Sequence, residues 1–405
     1  MVKQNLFTRV AKWYLERKMT PDEDQLLREY LGLDTASGIA VNWRTAMEFS
    51  VSLACARAIA TGLMVPFKLF RSKDGSKLPA TDDNRYGLLH DSPNDFQTAP
   101  EFMEMIGYHL VFCGNAFVWK NIVDGKIVEL LAYDPGMVTV ERNDWELSYR
   151  ITPEKGSPIS IPKEQMWHIR GPSWNGWMGM DGVRLARNVL SLGMAQQNYG
   201  TKFFRNNSIP SGVLQSEKEY PGKEKAKAMR EAWENAFGGE NSQKTAIAWA
   251  GLKWATVTIP NDNAQFIESR KFQIEEVCRM FGVNPLRVYY SDKTSTYASA
   301  EQFFTSHVIH DLMPWYVRVE MSASKNLLTD TDRANGMYFK FLANGLMRGS
   351  IEARANYYSK ALGTGGSSPW MTQDEVRDLE DSNPMGGNAA ILREPSNVGT
   401  TIAVT

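Results

Sequence analysis

The sequence has little cysteine and almost no net charge. Three of its 405 residues are cysteine, Cys55, Cys113 and Cys278, and no C-x-x-C pair occurs. This argues against a zinc ribbon or a dithiol redox motif, and the apolar surroundings of each cysteine predict small buried side chains. The formal net charge is −1, whereas proteins that hold nucleic acid tightly by phosphate neutralisation are normally basic. Any contact with nucleic acid is therefore expected to be local or loose.

Long apolar runs are also missing. The most apolar stretch, residues 50–67, contains Arg57 and ends near Pro66, so it is too short and too charged to span a bilayer. Residues 1–18 lack the apolar core of a secretory signal. They place apolar side chains at helical spacing beside basic ones. This pattern predicts a helix that docks on a partner or on the protein itself, with a membrane surface as the alternative.

The chain does have the length and composition of a multi-domain globular protein. Its 405 residues predict two or three domains, and 43% hydrophobic with 22% charged residues is ordinary for folded proteins. A helix is predicted over residues 42–62, and a capping box at Thr98 and Glu101 begins another. Residues 115–122 and 126–133 then read as a hairpin. The first 175 residues are therefore predicted to form an α+β domain.

The second half predicts two amphipathic helices around a small insert. Helical spacing covers residues 183–205 and 264–281, and residues 217–262 between them carry a charged helix and short strands. Two helices that bracket an insert are most simply an antiparallel pair with the insert at its tip.

A polar segment with one lysine, residues 292–302, follows this pair and reads D-K-T-S-T-Y-A-S-A-E-Q. It leads into a helix predicted over 299–328. Pro314 within that helix cannot donate to the carbonyl of His310, so a kink is expected there. Further helices are predicted over 338–348 and 351–362.

The search for catalytic or metal-binding motifs finds none that is specific. Residues 239–245, G-E-N-S-Q-K-T, lack the glycine before the lysine of a phosphate-binding loop and follow a helix rather than a strand, so ATP hydrolysis is not expected. His307 and His310 lie three residues apart beside Asp311. No third ligand follows at a suitable spacing, which disfavours a metal site.

No motif for a catalytic nucleophile is found either. Ser173 stands in G-P-S-W-N-G, which is not the G-x-S-x-G of a hydrolase. His168 ends an apolar strand and is expected to be structural. The mixed charges of residues 217–231 predict a solvated helix face, with a basic patch for nucleic acid as the alternative.

Several short sequences carry a resemblance to a known family. They are L-L-H-D-S-P-N (88–94), T-A-P-E-F-M-E-M (98–105), C-G-N-A-F (113–117), F-F-R-N-N-S-I-P-S-G-V-L (203–214), E-S-R-K-F-Q-I-E-E-V-C-R-M-F-G-V-N-P (268–285), T-S-T-Y-A-S-A-E-Q (294–302) and M-T-Q-D-E-V-R (371–377). Each is weak alone, but they occur in order over residues 40–385. On these sequences the chain resembles the portal proteins of tailed bacteriophages with long non-contractile tails.

The resemblance implies a portal-type, multi-domain α+β subunit in a ring, usually of twelve copies, at one capsid vertex. It implies no enzymatic activity and no cofactor, because a separate terminase pumps the DNA. Expected partners are other copies of the chain, double-stranded DNA without sequence specificity, the large terminase subunit, a head-tail adaptor, the major capsid protein and scaffold. The expected location is the virion, after assembly in the host cytoplasm.

The resemblance also implies a division of the chain into parts. By position these are a wing-like α+β domain (1–182), a stem helix (183–206), a clip-like α/β insert (207–262), a second stem helix (263–285), a tunnel loop (286–299), a kinked long helix (300–328) and a crown-like helical region (329–385). The remaining tail (386–405) is small and polar, and this composition predicts disorder. The tunnel loop would place Lys293, Thr294, Ser295 and Tyr297 against DNA in the channel, and Pro314 would kink the long helix.

Elementary physics agrees with this interpretation, since a channel for DNA of any sequence should avoid base readout and tight phosphate binding. Two rivals remain. A phage maturation protease or nuclease would need a nucleophile–base pair or a carboxylate cluster, and none is found. An adaptor or membrane-surface protein would use residues 1–18.

Overall fold

The computed structural model describes residues 35–73, 76–153, 155–206, 213–216, 223–224, 227–228, 231, 252–255, 263–290, 297–343, 351–364, 368–380 and 383–392. The chain divides into two compact units, a smaller one of residues 1–42 with 187–277 and a larger one of residues 43–186 with 278–405. Within the described ranges, no helix combines the length and apolarity needed to cross a bilayer.

The elements follow one another in three runs. The first run is α1 (Trp43–Glu48), α2 (Ser50–Ala60), β1 (Phe67–Lys73), β2 (Ser76–Pro79), α3 (Asn84–His90), α4 (Ala99–Cys113), β3 (Asn115–Val123), β4 (Lys126–Tyr133), β5 (Val138–Asn143), β6 (Glu146–Ile151), β7 (Ile159–Pro162), β8 (Met166–Arg170) and α5 (Gly182–Leu185). The second run is α6 (Arg187–Asn206), β9 (Val213–Ser216), β10 (Leu252–Ala255) and α7 (Asn263–Phe281). The third run is α8 (Tyr297–Ser306), a π-helical segment (His307–Leu312), α9 (Met313–Leu327), α10 (Asp330–Ala334), β11 (Met337–Phe341), α11 (Ile351–Ala361) and α12 (Gln373–Leu379).

The larger unit is built on three small antiparallel sheets with strand orders β11-β1-β2, β4-β3-β8 and β5-β6-β7. Its main core joins the first two sheets to α4 and α9, with Phe67, Phe102, Trp167 and Tyr316 fully buried. A second cluster around Phe117 packs the third sheet against β3 and β8. The predicted α+β character is confirmed.

The local signals of the first half act as expected. Thr98 accepts a hydrogen bond from the Glu101 amide, and the Glu101 carboxylate accepts from the Thr98 amide at 2.8 Å, which completes the capping box of α4. The predicted hairpin is β3 with β4, and its two turn residues, Asp124 and Gly125, both have positive φ. That backbone is typical of a tight hairpin turn.

The sequence at residues 88–94 covers the free edge of β4. The amide of Leu130 donates to the carbonyl of Pro93 at 2.8 Å, and the Asn94 side chain donates to the carbonyl of Leu130 at 3.0 Å. The Asn84 side chain caps the Ile127 carbonyl in the same way. Because exposed edge strands invite pairing with other chains, this stretch protects the sheet.

One prediction of the second half is wrong. The helix expected over 338–348 is instead the strand β11 over its described beginning, and it pairs antiparallel with β1, with Phe341 opposite Phe67 and Met337 opposite Arg71. Burial alternates along β11, with Met337, Phe339 and Phe341 inside. That period of two is a strand pattern, and aromatic residues favour strands. A purely helical crown over 329–385 is therefore wrong at β11.

The outer edge of β11 is closed by α9. The amide of Phe341 donates to the carboxylate of Glu320 at 2.9 Å, and the amide of Phe339 donates to Ser324 Oγ at 3.2 Å. Lys340 pairs with the other Glu320 oxygen at 2.9 Å, so this buried carboxylate has a charged partner.

In the smaller unit, α6 and α7 run antiparallel. The Gln273 side chain donates to the Val189 carbonyl at 2.6 Å, and Gln196 donates to Ser269 at 2.9 Å. The residue numbers therefore increase along α6 while those of their partners decrease along α7, as in an antiparallel pair. The strands β9 and β10 pair antiparallel within the insert. The antiparallel helix pair around an insert is confirmed, although the first helix, expected from 183, is broken at Ala186.

The remaining expectations concern the chain ends. The tail expected to be disordered from 386 begins with a 3-10 turn, Gly387–Ala390, in which Ala389 is buried, so that expectation is wrong there. Residues 1–18, 239–245 and 393–405 lie outside the described residues.

Candidate functional site

The predicted DNA-contact residues fall on a short segment between two well-described flanks. Lys293, Thr294 and Ser295 lie outside the described residues. Tyr297 is the first residue of α8, and the structure describes its backbone but not its side chain. The contacts themselves therefore stay a prediction, while the flanks define where the segment starts and ends.

The left flank is a tight turn after α7. Gly282 has φ +66°, and the Val283 amide donates to the Cys278 carbonyl at 3.0 Å, which closes the helix end. The Asn284 side chain then caps a 3-10 turn, Pro285–Val288, by accepting from the Leu286 amide at 3.0 Å. In the sequence F-G-V-N-P, the glycine therefore ends α7 and the asparagine caps the 3-10 turn that follows.

Tyr289 ends this turn in a strained conformation. Its φ is +60°, and its side chain is 91% exposed. The left-handed region costs a residue with a Cβ about 1–2 kcal/mol. This strained residue lies two positions before the segment 291–296 that carries the predicted contacts. Sequence reasoning missed Tyr289, because nothing in V-Y-Y-S marks a left-handed residue.

The right flank is one long helical stretch with an irregular middle. Between α8 and α9 the backbone has π-type hydrogen bonding over His307–Leu312, with the Met313 amide donating to the Val308 carbonyl. Pro314 sits in the first turn of α9. A proline ring would clash with the carbonyl four residues earlier, and the wider π turn makes room for it. The irregular backbone is thus a π segment just before Pro314, and the kink itself stays a prediction.

This irregular segment is fixed to the core. His307 Nδ1 lies 2.7 Å from the Asp311 carboxylate, and His307 is 2% exposed. Leu312 packs on Gly62, where an added Cβ would lie 2.4 Å from the leucine side chain. The Tyr316 hydroxyl donates to the Gly62 carbonyl at 2.7 Å. No group of three possible metal ligands occurs in the described ranges, and His307 is held by Asp311.

A cation–π contact joins the two flanks. The guanidinium carbon of Arg287 lies 5.0 Å from the ring centre of Phe304. The contact links the turn before the segment to the helix after it, so both ends of residues 291–296 are tied together. Sequence reasoning missed this pair, since its members are seventeen positions apart in the chain and no motif links them.

Removing this contact should loosen the loop ends. A cation–π contact at an exposed site contributes about 0.5–1 kcal/mol, so Phe304→Ala should speed amide exchange of residues 285–300 about two- to fivefold. Hydrogen–deuterium exchange with mass spectrometry measures this. Phe303→Ala, which removes an exposed aromatic next to it, is the matched control. Equal rates in the two variants would contradict the role of Arg287.

His168 is structural, as predicted. It is buried, with Nε2 3.0 Å from Asn115 Oδ1 and Nδ1 3.3 Å from the Tyr149 hydroxyl. These partners fit a neutral ring that donates through Nε2. Burial, with a smaller contribution from the charge of Arg170, lowers the pKa of His168 to about 3.

This shift predicts acid sensitivity. The pKa of an unfolded histidine is about 6.5, so below that pH the unfolded chain binds a proton that the folded one refuses. The contribution of neutral His168 to the free energy of unfolding is fully present above about pH 6.5 and decreases as the pH falls toward 3. In His168→Gln, the free energy of unfolding measured by urea denaturation should depend less on pH, with a slope smaller by up to about 1.4 kcal/mol per pH unit. Exposed His310→Gln is the control, and parallel curves for His168→Gln and the wild type would refute the prediction.

Asn115 also holds the glycine-rich loop that contains Ser173. Its side chain accepts from the Gly179 amide at 2.7 Å and donates to the Gly179 carbonyl at 3.1 Å. Gly114, with φ +68°, packs so tightly that an added Cβ would lie 2.0 Å from the Met180 carbonyl oxygen. The sequence C-G-N therefore ends α4 and anchors this loop. The Ser173 hydroxyl bonds within the loop, to Gly176 and Met178.

Two of the three cysteines are buried as predicted and Cys113 is half-buried, and the sequence did not indicate that the two buried ones lie together. Cys55 and Cys278 are buried with sulfurs 3.8 Å apart, and they form no disulfide. The hydrogen bond with Cys278 and burial raise the pKa of the Cys55 thiol. Burial likewise raises the pKa of Cys113. A raised pKa disfavours the thiolate, which is the reactive form of cysteine, at Cys55 and Cys113.

Comparison with known proteins identifies the family. The phage portal protein model matches residues 50–381, which is most of the chain. The chain belongs to the phage portal protein family. The probable portal protein of Streptomyces phage phiC31 is 29% identical over 91% of this chain and 82% of its own length. The portal protein of Enterobacteria phage HK97 is 24% identical over 98% of this chain and 93% of its own length.

Solved structures share the fold of this portal chain. The neck of an empty gene transfer agent particle, computed with C6 symmetry, matches with a TM-score of 0.61 and 18% identity, over 84% of this chain and 94% of the other. The neck of the native particle, computed with C12 symmetry, gives 0.56 and 17%, over 90% and 94%. An HK97-family portal protein from Corynebacterium diphtheriae gives 0.55 and 15%, over 75% and 96%.

Proposed function

We propose that this portal chain forms a closed ring, of twelve copies in the virion, at one capsid vertex. The ring is the channel through which DNA is packaged and ejected. It passes double-stranded DNA without reading its sequence, and it has no enzymatic activity and no cofactor of its own. It assembles in the host cytoplasm. The large terminase subunit, a head-tail adaptor, the major capsid protein and scaffold are its docking partners.

The family match over residues 50–381 carries this proposal. Likeness to the neck computed with C12 symmetry supports the number twelve. The net charge of −1 supports a conduit, because a strongly basic lining would hold DNA by counterion release instead of letting it slide.

The parts of the subunit are assigned to the observed elements. Residues 1–182 are the wing, α6 and α7 are the stem, and residues 207–262 are the clip. The tunnel loop covers residues 286–299, with Lys293, Thr294, Ser295 and Tyr297 facing the DNA. The strand β11 joins the wing sheet, so the crown is reduced to the later part of residues 329–385.

Native mass spectrometry and negative-stain microscopy of the purified full chain test the ring. We expect closed rings, and rings of another number than twelve in isolated protein would still support a closed assembly. Particles that stay monomeric at assembly concentrations would contradict the proposal. Packaging of DNA into proheads that contain the chain and terminase then tests the conduit.

A further inference from the structure

A rigid loop presents one tryptophan to solvent. We define the tryptophan loop as residues 171–181, and its Trp174 side chain is 93% exposed. The Asn175 side chain accepts from the Trp177 and Met178 amides at 3.1 and 2.9 Å, and the Met180 amide donates to the Pro172 carbonyl at 2.7 Å. The loop is thus ordered by its own hydrogen bonds on both sides of Trp174.

The base of the tryptophan loop is fixed to the core. The Gly171 amide donates to the Gly114 carbonyl at 2.8 Å, and Arg318 donates to the Gly171 carbonyl at 3.1 Å. The loop backbone around Trp174 is therefore already ordered in the isolated subunit, so a contact made there does not carry the cost of ordering the loop. Tryptophan is one of the residues enriched at the energetic centre of protein interfaces, and Trp174 is exposed on an ordered loop.

An open groove lies elsewhere on the same unit, between β11 and α9. We call it the β11 groove, and its volume is about 640 Å³. Phe70 and Tyr338 stack in its wall with ring centres 5.8 Å apart, Met321 is 67% exposed on the α9 side, and Lys77 and Lys340 line it as well.

The chemistry of the β11 groove fits a side chain better than an added strand. The amides of Phe339 and Phe341, which an incoming strand would need, already donate to Ser324 and Glu320 of α9. The aromatic and thioether surface suits a large flat ring, and the Lys77 ammonium group attracts the face of an indole, whereas the Lys340 ammonium group is paired with Glu320. Tryptophan satisfies both requirements.

The tryptophan loop and the β11 groove lie on opposite sides of α9. Arg318 and Ser322 contact Gly171 and Trp167 on one side, and Glu320 and Ser324 contact Phe341 and Phe339 on the other. At about 100° per residue, the two pairs are roughly 200° apart around the helix. Two different surfaces on opposite sides are what a head-to-tail ring requires, because each copy offers one and receives the other.

We propose that Trp174 of one subunit inserts into the β11 groove of the next subunit in the ring. This inference rests on the proposed ring and names one of its contacts. Trp174 is the anchor, Phe70, Tyr338 and Met321 form the receiving surface, and Lys77 lies at the face of the indole.

Disulfide cross-linking in the full-length protein tests the contact directly. The double variant Trp174→Cys with Met321→Cys is oxidised, quenched with a thiol-blocking reagent and run on a non-reducing denaturing gel. We expect a ladder of covalent oligomers. Trp145→Cys with Met321→Cys is the matched control, since Trp145 is 88% exposed at the tip of the β5–β6 hairpin. Rings without a ladder from the first pair would overturn the contact and leave the ring standing. A wild-type chain that never forms rings would overturn both.

Assembly of single variants gives an independent measure. Trp174→Ala should raise the protein concentration at half assembly at least tenfold, and Trp174→Phe should raise it less. Trp145→Ala should change it less than twofold, and melting temperatures of the isolated subunits should agree. Unchanged assembly of Trp174→Ala would overturn the inference. If that variant also lost terminase-driven packaging, Trp174 would be assigned to terminase instead.

Discussion

Shortening the tunnel loop by residues 293–295 should reduce DNA packaging by about tenfold or more, which corresponds to at least about 1.4 kcal/mol in the limiting barrier, while rings still form. The segment joins two fixed ends, Tyr290 after the capped turn and Tyr297 at the start of α8. The proposed role of the segment is contact with passing DNA, and the described contacts fix its flanks independently of it. Its removal should therefore affect transport and not assembly.

The charge of the loop can be separated from its length. Replacing residues 293–295 by Gly-Ser-Gly keeps the length and removes Lys293, while Lys293→Arg keeps the charge. One lost phosphate contact reduces the salt dependence of binding by roughly 0.9 in the log–log slope. The Gly-Ser-Gly variant should thus package with weaker salt dependence, and Lys293→Arg should behave like the wild type. Normal packaging by the shortened loop would refute its role in transport.

Gly114→Ala should lower the free energy of unfolding by about 2–5 kcal/mol. The left-handed backbone, with φ +68°, costs an alanine about 1–2 kcal/mol. The added Cβ would lie 2.0 Å from the Met180 carbonyl oxygen, and forced overpacking adds about 1–3 kcal/mol. The end of α4 and the tryptophan loop cannot both keep their positions.

Gly125→Ala isolates the two causes. Gly125 has φ +74°, but no other atom lies within 4 Å of the position of its Cβ. Only the backbone cost of about 1–2 kcal/mol should remain. Urea unfolding followed by tryptophan fluorescence compares the two variants. Equal losses would show that the close packing of Gly114 on Met180 contributes nothing.

Features determined by neighbouring residues were predictable from the sequence. The capping box at Thr98 and Glu101 and the hairpin turn at Asp124 depend on contacts over two or three residues, and both occur as expected. The antiparallel helix pair followed from its insert. The portal family followed from the order of several short matches and not from any one of them.

Features determined by distant partners were not predictable. The strand β11 was read as a helix, although its pairing with β1 and its edge contacts with α9 decide its form. The contact of Arg287 with Phe304 and the approach of Cys55 to Cys278 also join separated segments. The π segment before Pro314 depends on how the core holds His307 and Leu312, beyond the proline itself.

The pairing of β11 with β1 also determines how late during synthesis this sheet can form. The sheet that contains Phe67–Lys73 cannot be completed until Met337–Phe341 has left the ribosome. At ~5–20 residues per second this interval is roughly 15–50 s. During that time β1 has its partner β2 but lacks β11 on its other side and the covering helix α9. We therefore expect the nascent chain to depend on chaperones that shield this strand. C-terminally truncated products should remain bound to those chaperones.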